Sequence, residues 1–94
     1  MNTDVKTVFA IIKTLMKNIQ IAKSEIEEIE MTSHDRNLGS EWVQDLISEW
    51  SIAYEIFENL FDVDTEIWSI FRPCFQSLSS IIDDLGKRVA EWES

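Results

Sequence analysis

The sequence predicts an all-α protein, a small antiparallel three-helix bundle, and three observations lead there. Gly occurs twice and Pro once in 94 residues, so few positions invite a turn. β-Branched residues stand at helix spacing and never in the alternating runs of a half-buried strand. Hydrophobic residues make up 45% of the chain, with four Trp, five Phe and one Tyr, which is too apolar and too aromatic for disorder despite a formal charge of -10. A chain of this length supports one core, so residues 1–94 are expected to form a single domain.

The first helix is expected from about Asp4 to Glu30, because apolar residues keep a heptad along all of it. Val5, Ile12, Ile19 and Ile26 occupy one position of the repeat, and Val8, Leu15, Ala22 and Ile29 the other. Asn2 or Thr3 can cap its start, and Asp4 suits the positive end of the helix dipole. Phe9, Ile11 and Met16 widen the stripe of the first half enough for two neighbours. Lys23, Glu25, Glu27, Glu28 and Glu30 narrow it in the second half, whose end is expected to project from the bundle or to touch one neighbour.

Met31–Ser40 reads as the helix-to-helix connection, with Asn37 and Gly39 able to take positive φ and Ser40 placed as an N-cap. The second helix is expected from about Glu41 to Phe61, facing inward with Val43, Leu46, Ile47, Trp50, Ala53, Tyr54, Phe57, Leu60 and Phe61. Asp62, Val63, Asp64 and Thr65 form a tight turn with several capping side chains. The third stripe comprises Trp68, Phe71, Cys74, Phe75, Leu78, Ile81, Ile82, Leu85, Val89 and Trp92. Pro73 lies inside it and removes a backbone donor, so this helix is expected to be kinked or broken there, and three helices or four stays open.

Little in the chain points to catalysis. His34 is the single histidine and Cys74 the single thiol, so a nucleophilic pair would have to recruit His34 from the connection. Cys74 sits on the apolar stripe, where a free thiol is usually buried as a small hydrophobe. Glu30 and His34 are four apart, yet neither a Glu-x-x-His pair nor a set of zinc thiols accompanies them. No enzymatic activity, metal or cofactor is expected. One cysteine cannot close an intrachain disulfide, which fits a reducing, cytoplasmic setting. The Asn2-Thr3-Asp4 start has no basic leader, and the apolar run from Val8 to Met16 is interrupted by Lys13, so neither an export signal nor a membrane partner is expected.

Charge is the most informative feature. With 18 acidic against 8 basic residues, direct binding of nucleic acid is disfavoured. The charge is unevenly spread: residues 1–23 sum to +3, residues 24–71 to -12 and residues 72–94 to -1. On the second helix Glu41, Asp45, Glu49, Glu55, Glu58 and Asp62 recur every three or four residues along the outward side. With Glu25, Glu27, Glu28 and Glu30 they are expected to form a continuous acidic surface. An ordinary solvated face explains such a run as readily as a functional one. Trp42, Ile52 and Ile56 fall outside the inward stripe, however, and so does Ile21 on the first helix. Apolar anchors among steering carboxylates are the makings of a protein interface.

Glu41, Trp42, Asp45, Glu49, Ile52, Glu55, Glu58 and Asp62 are therefore the expected partner-binding residues. The expected function is that of a non-enzymatic inhibitor or neutralising protein covering a basic surface. It would resemble an immunity protein or antitoxin against a toxin nuclease, or a phage protein occupying the channel of a nucleic-acid-binding defence complex. The rival expectation is an assembly adaptor that forms homo-oligomers through its first helix. A small-molecule site beside Pro73 ranks below both.

Overall fold

A computed structural model describes residues 3–32 and 35–93. Three helices account for nearly all of them: α1 (Thr3–Thr32), α2 (Arg36–Leu60) and α3 (Glu66–Ala90), followed by a single 3-10 turn at Glu91–Glu93. No strand occurs among the described residues, and no helix is long and apolar enough to cross a membrane. Asn18 of α1 lies opposite Glu49 of α2, Glu30 of α1 meets Arg88 of α3, and Gly39 of α2 meets Trp92 beyond α3. The chain thus runs up, down and up, in a bundle extending 46 × 20 × 16 Å.

The α1 heptad forms the spine. Val8, Ile12, Leu15, Ile19, Ala22, Ile26 and Ile29 are buried, and Val5 is partly buried against the same core. Around Phe57, which is fully buried, the helices build an aromatic stack. Its ring lies against Trp68 at 4.6 Å and Phe75 at 5.0 Å, both near parallel, while Tyr54 meets Phe75 edge-on at 5.4 Å. Each such pair adds about 0.5–1.5 kcal/mol to the burial of its area. Trp50 stacks on Tyr54 at 5.0 Å and donates its indole N–H to the Phe75 carbonyl at 2.8 Å, so the half-buried indole keeps a polar partner.

Several local expectations are settled or corrected. α3 runs unbroken through Pro73, which decides the open choice in favour of three α-helices among the described residues. Pro73 and Ser69 are both exposed, so the Ser69 carbonyl, which Pro73 cannot serve, can be hydrated. At the first connection, Asp35 rather than Ser40 caps α2: its side chain accepts from the N–H groups of Asn37 at 3.0 Å and Leu38 at 3.4 Å. Asn37 and Gly39 belong to the first turns of α2, and Gly39 serves close approach instead of positive φ. A Cβ there would lie 2.7 Å from the Trp92 ring and 3.0 Å from Val89. Thr65 caps α3 through its hydroxyl, which accepts from Trp68 N–H, as the turn chemistry led one to expect. Asn2 and His34 lie outside the described residues.

The edges of the stripes also differ from expectation: Ile47 and Ile81 are exposed, and so is Cys74, the expected core thiol. Each stands at the margin of its helix's inward arc, where only the position of the neighbouring helix decides burial. Of the residues expected to widen the α1 stripe, Ile11 is partly buried against the core, whereas Phe9 and Met16 are 56% and 51% exposed. Of the two alternatives for the end of α1, projection is excluded. Ile26 and Ile29 are buried, and Glu30 is held by α3.

Candidate protein interface

The α1–α3 clasp removes part of the expected acidic surface. Arg88 donates through Nε and Nη2 to the two Glu30 oxygens at 2.9 and 2.5 Å, and Trp92 donates its indole N–H to Glu30 at 2.7 Å. A longer ion pair of 3.7 Å joins Arg88 to Glu27. The hydrogen bond to Glu30, followed by the attraction of Glu30 and Glu27, raises the Arg88 pKa against a smaller cost of desolvation. Glu27 and Glu30 are accordingly structural carboxylates, tying α1 to α3 across 58 residues of sequence in the case of Glu30.

The α2 carboxylates are different. Glu41, Asp45, Glu49, Glu55, Glu58 and Asp62 are all exposed, and among the described residues none of them forms an ion pair. They do not share one face. At about 100° per residue, Glu41, Asp45 and Glu49 drift gradually toward α1, whereas Glu55 is turned about 120° and Glu58 about 180° from Glu49. Asp62 lies in the turn after α2, where its carbonyl accepts from the backbone and hydroxyl of Thr65.

What the fold brings together is a groove between α1 and α2. A hollow of about 390 Å³ is floored by Ile11, Leu15 and Ala53 and walled by Ile52 and Ile56. A second hollow of about 230 Å³ lies between Ile21 and Trp42, with Asp45 at its edge. Glu49 and Asn18 line both, and the Asn18 amide donates to the Glu49 carboxylate at 3.1 Å, so a polar bridge separates two apolar recesses. Trp42, Ile52, Ile56 and Ile21, the four apolar residues that fit no inward stripe, all line this groove. Asp45 and Glu49 are the charged residues lining the two hollows, and no lysine or arginine joins them.

Of the expected interface residues, Trp42, Asp45, Glu49 and Ile52 therefore converge, Glu41 precedes Trp42 but lines neither hollow, and Glu55, Glu58 and Asp62 lie elsewhere. The α1 wall was harder to foresee. Asn18 and Thr14 are polar residues outside the apolar stripe of α1, and the one signal on their side of the helix was that Ile21 stood off that stripe. Among the described residues, no three His, Cys, Asp or Glu side chains converge as metal ligands would.

Fold and surface together define a class: a three-helix bundle with an acidic, apolar-floored groove along two of its helices. Comparison with known proteins adds no family to that description, since no family model, no curated protein and no solved structure matches the chain.

Proposed function

We propose that the protein is a non-enzymatic inhibitor or neutralising partner that covers a basic surface of another protein in a cytoplasmic setting. The partner class is a toxin nuclease, as for an immunity protein or antitoxin, or a nucleic-acid-binding defence complex, as for a phage inhibitor. One observation carries this reading: Trp42, Asp45, Glu49 and Ile52 share a groove whose carboxylates have no cationic partner among the described residues. Unpaired carboxylates steer a basic surface into encounter, and the recesses beside them accept apolar anchors once contact is made. Binding sites for nucleic acid are basic, so a carboxylate-lined bundle suits them as a substitute for phosphate.

The test is capture by the immobilised protein from a lysate of its source cell at low and high salt, followed by a nuclease or nucleic-acid-binding assay on what is captured. The reading expects a salt-sensitive basic partner whose activity the protein suppresses. A variant combining Asp45→Lys and Glu49→Lys should lose that capture and suppression at least tenfold while its far-ultraviolet circular dichroism is unchanged. Equal capture and suppression by the variant and the parent would sink the proposal.

A further inference from the structure

The exposed stripe on the opposite side of α1 matches the groove feature for feature. Phe9 and Met16 are seven residues apart and more than half exposed, and Lys13 lies between them with its ammonium 5.7 Å from the Phe9 ring centre. Such a stripe is an apolar knob, a cation and a second apolar knob over about 10 Å, at 1.5 Å of rise per residue. The groove presents the complement. Its larger hollow is bounded on α2 by residues 49–56 and its smaller one by residues 42–49, so their centres are also about seven residues, or 10 Å, apart. Glu49 stands between them.

We infer that a second copy of this chain occupies the groove, its Phe9, Lys13 and Met16 seated in the larger hollow, against Glu49 and in the smaller hollow respectively. The larger ring takes the larger recess beside Ile52, and the Met16 thioether meets the Trp42 indole, a contact that sulfur and aromatic rings favour. That order lays the incoming α1 antiparallel to α2. Charge agrees with the pairing: the donor segment, residues 1–23, carries +3, and the charged residues lining the acceptor hollows are Asp45 and Glu49. Lys13 has no carboxylate partner among the described residues of its own chain.

Stripe and groove use different residues, so every copy offers both halves of the contact. The contact is heterologous and grows into rings or open chains instead of stopping at a symmetric pair. This inference does not rest on the basic partner proposed above; if both hold, self-association and that partner compete for Glu49.

Analytical ultracentrifugation of the full chain from micromolar to millimolar concentration tests it. The mass of the parent should climb from one chain to at least two and continue upward, while Lys13→Glu and Glu49→Lys each hold it at one chain with unaltered circular dichroism. Mixed in equimolar amounts, the two variants offer the parental Lys13–Glu49 pair at one junction and the charge-swapped pair at the next, so the mixture should associate and grow as the parent does. The double variant Lys13→Glu with Glu49→Lys should associate again. A parent that stays monomeric, or forms a closed dimer whose single variants fail to complement each other, overturns the inference.

Discussion

Arg88 grips the Glu30 carboxylate with two nitrogens, at 2.9 and 2.5 Å, and so ties the last turn of α3 to the end of α1. Trp92 adds a third donor to the same carboxylate at 2.7 Å. The arrangement makes the acidic end of α1 a docked element, although its composition suggests a solvated one.

Loss of the Glu30 carboxylate should therefore cost more than loss of an ordinary surface charge. Glu30→Ala is expected to destabilise the fold by about 1–2 kcal/mol, the value of a charge-assisted hydrogen-bonded pair reduced for its partial exposure. Urea denaturation measures it. A double-mutant cycle with Arg88→Met should return a coupling energy clearly above zero, whereas Glu28→Ala, two residues away and exposed, should change stability by less than about 0.5 kcal/mol.

The two glycines should respond to alanine with opposite signs. Gly86→Ala gains helix propensity and meets Val43 at an ordinary 3.5 Å, so it is expected to stabilise by about 0.5–1 kcal/mol. Gly39→Ala drives a methyl to within 2.7 Å of the Trp92 ring, which is held in place by Glu30. Overpacking of this kind costs about 1–3 kcal/mol, more than the propensity gain, for a net loss of about 1 kcal/mol. Thermal unfolding should separate the pair, each kcal/mol moving the midpoint by about 4–8 °C in a domain of this size.

Burial also separates Phe57 from Cys74. Phe57→Ala empties the centre of the aromatic stack and should cost about 3–5 kcal/mol, a large share of the stability of a small domain. Cys74→Ser should be neutral within about 0.5 kcal/mol, and the thiol should react with Ellman's reagent in the native protein without denaturant. Protection of Cys74 until unfolding would contradict its exposed position.

Partner capture should follow the groove rather than net charge. Glu49→Lys and Glu58→Lys make the same change in net charge, but Glu58 lies about 180° around α2 from Glu49. The first is expected to weaken capture at least tenfold and the second less than about threefold, the difference between a lost contact and weakened steering. Ile52→Ala should weaken capture while leaving stability almost unchanged, because Ile52 is 61% exposed. Equal effects of the two charge reversals in a binding isotherm would count against the groove as the binding face.

Apolar spacing alone determined the class of this protein and the bodies of its three helices. The α1 heptad and the Asp62–Thr65 turn were legible because helix periodicity and capping act over three or four residues. Half of the candidate interface was legible for the same reason, since Trp42, Ile52, Ile56 and Ile21 stood off the inward stripes. Tertiary structure decided what local spacing leaves undetermined. It exposed Ile47, Cys74 and Ile81 at the stripe margins, turned Gly39 into a seat for Trp92, and divided the acids into the Glu27 and Glu30 clasp, the groove pair Asp45 and Glu49, and the outlying Glu55 and Glu58. The physical reason is range: a helix wheel orders side chains around one axis, but burial and ion pairing depend on where a second axis lies, and residues 31 and 58 apart meet only after the chain has folded back.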